Sequence, residues 1–152
     1  MDYNIIGMRG DTPFQDIISH YISCGCEIIL LNPDYVMGRK HLESAIFHAE
    51  RAMKNGTNRS KSLISEIILY AAWERQINKA LEKMKPPTDS KQYVAIILGS
   101  SDCDVDSISM KKDDSIIEPN DEKAKLLGLD DPFLDYSSQA VERVADVDLL
   151  KL

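Results

Sequence analysis

The 152-residue sequence is poor in cysteine, in glycine and in positive charge. Its three cysteines, Cys24, Cys26 and Cys103, are odd in number and argue against a disulfide framework. "CGC" has no second cysteine or histidine pair at zinc spacing, so the expectation is buried thiols serving as small hydrophobes. The seven glycines form no phosphate-cradling loop, because "GMRGD" and "LGSSD" have the wrong spacing. The turn at Ser100 in "LGSSD" also lacks the small-x-Ser-x-small pattern of a nucleophile elbow. With 18 bases against 25 acids the net charge is -7. That excludes bulk electrostatic binding to nucleic acid, so any such role needs a local cationic patch. No apolar run approaches the roughly 20 residues of a membrane span, and "MDYNIIGMRGD" lacks the basic region and cleavage site of a signal peptide. A cytoplasmic protein of one domain, residues 1–152, is the expectation.

The histidines and acids are equally sparse in chemistry. His41 and His48 are seven apart, about two helical turns, too far to share a metal without other ligands. "HLESAIFH" is not the zinc-helix motif, which sets its histidines at i and i+4. His20 stands apart from both. The alternating acids of "SDCDVDSIS" lack the central glycine and closing glutamate of a calcium loop. Residues 100–114 are therefore expected to form an irregular, solvated acidic loop.

Periodicity places the elements. "YNIIGMRG" reads as a strand. Asp11–Pro13 starts a helix whose face is Phe14, Ile17, Ile18, Tyr21 and Ile22. "CEIILLN" and "QYVAIILG" are compact apolar runs typical of buried strands. A helix from Arg39 to Lys54 carries Leu42, Ala45, Ile46, Ala49 and Met53 on one face and stops at Asn55-Gly56. Asn58 to Met84 reads as a single long helix closed by Pro86-Pro87. A short strand is expected near Ile116 and Ile117, then a capped helix in "NDEKAKLLG" and a serine-capped one in "SSQAVERVADVDLLKL". The order β-α-β-α-α-β-(β)-α-α predicts an α+β fold: a small mixed or antiparallel sheet covered by several helices.

The long predicted helix raises the sharpest question. Leu63, Ile67, Tyr70, Trp73, Ile77, Leu81 and Met84 crowd one arc of its wheel, yet Glu66 and Glu74 fall inside that arc. Burying Glu66 or Arg75 without partners would cost several kcal/mol. Glu66 is expected to be buried with donors nearby, an architectural acid tying helix ends or loops. Arg75, with Arg59 and Lys61, is expected to border a contact surface, and Arg59 to lie exposed near the second basic cluster, Arg39-Lys40-His41. That cluster opens a helix, where cations oppose the dipole unless an anion such as phosphate sits there.

"NPDYVMGRKHLESAIFHAERA", "NRSKSLISEIILYAAWERQINKAL", "VAIIL" and the C-terminal "AVERVADVDLLKL" occur in an order that resembles a known family. It is that of the p53-related-protein-kinase-binding protein, the small regulatory subunit of the KEOPS complex. The resemblance covers about three quarters of the chain. It departs at Asn58, where threonine is common, at Pro86-Pro87, and in the acidic "SSDCDVDSISMKKDD". It implies a non-catalytic subunit with no cofactor, no metal, no membrane and no small-molecule substrate. It also implies two partners, the kinase-like ATPase of KEOPS and tRNA. The complex transfers a threonylcarbamoyl group to the adenosine beside the anticodon, and this subunit helps hold the tRNA 3′ CCA end. Charge and motif position nominate Arg39, Lys40, His41, Arg59, Lys61 and Arg75 as RNA contacts. Val141, Val144, Leu149 and Leu150 are the candidate partner-binding face. Two alternatives stay open: a protein-only adaptor of a kinase, and a small enzyme using Cys24, Cys26 or Ser100.

Overall fold

The computed structural model describes residues 2–99 and 103–149, so Ser100, Asp102 and Leu150 lie outside the described residues. The fold is α+β, built on a four-stranded antiparallel sheet. The chain forms two compact units, Met1–Pro33 with Pro86–Ile117 and Asp34–Lys85 with Glu118–Leu152. No helix among the described residues is long and apolar enough to cross a membrane.

The first unit contains β1 (Tyr3–Arg9), α1 (Phe14–Ser23), β2 (Glu27–Leu31), β3 (Gln92–Leu98) and β4 (Lys111–Lys112). The sheet order is β2-β3-β1-β4. The most apolar run, β3, takes a central place and is buried from Tyr93 onward. Side chains two apart share a sheet face. On one face Ile6, Met8, Ile28, Leu30, Tyr93, Ala95 and Ile97 form a core with Ile17 and Tyr21 of α1. Ile22, assigned by periodicity to that helix face, is exposed. The expected strand at Ile116–Ile117 is instead a 3-10 helix, Asp114–Ile117, and the fourth strand is β4. Ile116 and Ile117 are both buried, which consecutive residues of a one-sided edge strand cannot be. This segment crosses β1 at Gly7. A Cβ there would collide with the backbone carbonyl of Asp113, so only glycine admits the approach.

The cysteine expectation needs correction. Cys24 and Cys103 form a disulfide, Cα–Cα 6.1 Å, and only Cys26 is a buried free thiol. The sheet register explains the pairing. Glu27 lies opposite Leu98, so the chain before β2 and the chain after β3 emerge side by side. Residues 79 apart in sequence thereby meet.

The second unit contains α2 (Arg39–Asn55), α3 (Leu63–Ala72), α4 (Ile77–Met84), α5 (Asp121–Leu127) and α6 (Tyr136–Leu149). The predicted single helix from Asn58 to Met84 is therefore two helices. Ser62 and Ser65 form a capping box that starts α3 at Leu63. Trp73 ends it in the left-handed conformation, φ 59°, ψ 34°. Gly56 and Gly128 end α2 and α5 in the same conformation, and Asn120 caps α5. The start of α6 also differs from expectation: the Asp135 carboxylate, not a serine, accepts from the Ser138 N–H at 2.7 Å. The apolar face of α2, Leu42, Ala45, Ile46, Ala49 and Ala52, is fully buried, and α2 packs against both α3 and α6.

A candidate binding surface at the ends of the helices

The charges of "NRSKSLISEIILYAAWERQ" find their places once the helix is split. Glu66 is fully buried in the first turn of α3. Its carboxylate accepts from the Arg59 N–H at 3.0 and 3.2 Å, the Ser60 N–H at 3.0 Å and the Ser60 hydroxyl at 2.9 Å. An acid at a helix N-terminus that gathers backbone donors is stabilised by the dipole and by charge-assisted hydrogen bonds. It fixes the loop Asn58–Ser62 against α3. Arg59 is accordingly half-buried rather than exposed, and its Nε is enclosed without a hydrogen-bond partner among the described residues. Lys61 is exposed.

Glu74, Arg75 and Gln76 occupy the break between α3 and α4, and Arg75 is exposed there. Trp73 anchors the break. Lys83 Nζ donates to the Ala72 carbonyl at 2.7 Å, where a cation meets the negative end of the α3 dipole. The same ammonium sits 4.8 Å from the centre of the Trp73 ring, and the Arg143 guanidinium lies 5.7 Å from it. Burial, reinforced by the Arg143 charge and opposed by Glu74, lowers the pKa of Lys83. Trp73 Nε1 is buried without a hydrogen-bond partner among the described residues.

His41 cannot contact RNA, although it stands beside Arg39 and Lys40 in sequence. It is fully buried, with its ring 5.3 Å from that of Trp73. The Met37 N–H donates to Nδ1 at 3.0 Å, which makes Nε2 the protonated nitrogen, and Nε2–H donates to the Ala71 carbonyl at 2.8 Å. Desolvation therefore lowers its pKa to about 4, with the Lys83 and Lys123 charges acting in the same direction. This histidine ties the start of α2 to the end of α3.

That tie decides which candidate cations come together. Arg39 and Lys40, both exposed, open α2 at the end where Ala71, Trp73 and the Arg75 break lie. Lys83 and Arg143 join this end through Trp73. The Asp135 carboxyl borders it too: hydrogen bonds from Ser138 chiefly lower its pKa, and Lys40 adds to the effect. Arg59 and Lys61 follow the other end of the 17-residue α2, whose axial length is about 25 Å. The six candidates thus do not form one cluster. Periodicity and charge do not nominate Lys83, Arg143 or Trp73, because nothing in the sequence marks the helix break that assembles them.

The candidate partner face on α6 is largely internal. Val144 is fully buried and Val141 half-buried, because α6 docks on α2 and α3. Leu149 is 65% exposed, and Leu150 lies outside the described residues. The end of α6 is fastened by Asp148, which accepts from Tyr70 Oη at 2.5 Å, His48 Nδ1 at 2.8 Å and Arg51 at 3.1 Å. Arg51 also approaches His48 Nδ1 at 3.1 Å, but the carboxylate can only accept, so Nδ1 carries the proton and both groups serve Asp148. Phe47, exposed on α2 beneath Arg51, and Phe133, 92% exposed before α6, are the larger apolar groups this unit leaves in solvent.

The family profile described as kinase binding protein CGI-121 matches residues 15–144. The chain belongs to the CGI-121 family. The match runs from α1 to α6 and so includes every feature just described except the end of α6 with Asp148 and Leu149. No curated protein matches the sequence significantly. CGI-121 is a family of kinase-binding proteins, in keeping with the family implied by the motifs around Arg39, Arg59 and Arg75.

Proposed function

We propose that this protein is the non-catalytic, kinase-binding subunit of a KEOPS-type assembly, and that it helps recruit tRNA by its 3′ CCA end for threonylcarbamoylation. Membership of a kinase-binding family carries the first half. The second half draws on the exposed cations Arg39, Lys40 and Arg75, which share one end of the α2–α3 pair with Trp73. A single-stranded RNA end needs only a few cations and some stacking surface, so a local cluster can serve on a chain of net charge -7. Arg59 and Lys61 would contact a different part of the RNA, while His41 is withdrawn from the set by its burial. Kinase contact is assigned to the exposed apolar groups of the same unit, Phe47 and Leu149, rather than to Val144.

The test combines pull-down of the cognate kinase-like ATPase with tRNA titration. Intact tRNA should bind more tightly than tRNA trimmed of its CCA end. The doubly reversed Arg39→Glu/Lys40→Glu variant should lower the salt slope of binding by about 0.7 for each phosphate no longer neutralised. Equal affinity for trimmed and intact tRNA would remove the RNA half and leave a protein-only adaptor, the reading that the acidic net charge favours.

A further inference from the structure

The first unit carries a cluster that the kinase-binding reading does not use. A ring nitrogen of His20 and the sulfurs of Cys24 and Cys103 all lie within 4.8 Å of one another. His20 stands in the last turn of α1 and Cys24 is the C-cap four residues on, its backbone N–H donating to the His20 carbonyl, which keeps the two residues together. Cys103 is delivered from the chain after β3 and brings its sulfur 3.8 Å from the His20 carbonyl.

The hydrogen bonds around His20 set its tautomer. Nε2 faces the Asp104 carbonyl at 3.3 Å and the Ser107 hydroxyl at 3.1 Å. The Ser107 hydroxyl gives its proton to that same carbonyl at 2.8 Å, and a carbonyl only accepts, so Nε2 carries the hydrogen. Nδ1 is left with the lone pair. An imidazole whose second nitrogen donates to a carbonyl is the arrangement found behind metal-bound histidines.

We propose that His20, Cys24 and Cys103 form a redox-gated site for a thiophilic divalent cation of the zinc class. Two thiolates and one imidazole are the donor set such an ion selects, and a three-ligand site leaves a fourth, solvent-filled position. In the oxidised protein the sulfurs are bonded to each other and the site is closed. A thiol reductant opens it: two R–SH give R–S–S–R, and the disulfide becomes two cysteine thiols. Zinc then replaces both thiol protons, forming two Zn–S bonds and releasing two protons. Cys26, buried and free in β2's approach, takes no part.

The experiment uses the full chain. Reduced protein, freed of reductant and metal, is titrated with Zn2+ in weak buffer, and with Co2+ followed by thiolate-to-cobalt charge-transfer absorption. One metal ion per chain should bind with release of two protons, and under native conditions bound zinc should protect Cys24 and Cys103 from alkylation, while Cys26 is shielded by burial with or without the metal. The oxidised protein should bind none. Cys26→Ser should retain the site. Ser107→Ala, which removes one of the two acceptors facing Nε2, should weaken it about tenfold, within the range for outer-shell changes. Absence of binding by the reduced chain, or equal binding by the oxidised chain, overturns the proposal. Protection and proton release are read on the unaltered protein, so misfolding of a variant does not obscure the answer.

Discussion

His41 shows how a single side chain can be read wrongly from its neighbours in sequence. It follows two exposed cations, yet its two nitrogens are fully used inside the fold, one accepting from Met37 and one donating to Ala71. A proton added to Nδ1 would face the Met37 N–H and break that bond. The folded pKa of about 4 lies below the ordinary value of 6.5. The unfolded chain therefore binds the extra proton between these values, and stability falls as pH drops from 6.5 towards 4. The loss should be on the order of 3 kcal/mol. Chemical denaturation at neutral and mildly acidic pH should show this decline, and His41→Gln should flatten it while lowering stability at pH 7. Glu66 offers a second check at this scale. Its charge could be read as internal, because it falls on the apolar arc; its partners could not, because they are backbone N–H groups of a loop seven and six residues earlier. Glu66→Ala leaves those donors buried and should cost about 2–4 kcal/mol, measured as a shift in the denaturation midpoint.

At the scale of elements, the helices that end in glycine were legible and the one that ends in tryptophan was not. Gly56 and Gly128 stand at left-handed positions where a side chain is strained, and both mark helix ends in the sequence. Trp73 takes the same conformation with a large side chain, held by His41, Lys83 and Arg143. The 3.6-residue periodicity runs straight through it, because α4 resumes with Ile77, so the wheel alone reports one helix. The candidate site inherited that blindness, since its cations are gathered by a break the pattern hides. The left-handed backbone leads to an inverted substitution order. Both Trp73→Ala and Trp73→Gly lose the ring, but glycine alone relieves the backbone, so Trp73→Gly should be the more stable of the two by about 1 kcal/mol, as thermal or chemical denaturation of the two variants would show. In an ordinary helix position the order is reversed.

Across the whole molecule, composition and strand pattern carried the α+β class, while strand order and the disulfide lay beyond them. β2 and β3 are neighbours in the sheet although Leu31 and Gln92 are far apart in the chain, and no local signal encodes such a pairing. The Cys24–Cys103 bond depends on that same register. It closes a long loop, with 79 residues of sequence separation. In the absence of metal its reduction should cost about 2–4 kcal/mol, by the entropy returned to the unfolded chain, and lower the melting temperature. Thermal unfolding with and without reductant, on chelator-treated protein, measures it.

Trp73 is the only tryptophan in the sequence. Its intrinsic fluorescence therefore reports on one place: the break between α3 and α4. The neighbouring imidazole of His41 should quench that emission once protonated, giving an optical readout of the acid transition without a label. An RNA end arriving at Arg39 and Arg75 should perturb the same signal. The protein thus carries its own probe of events at these helix ends.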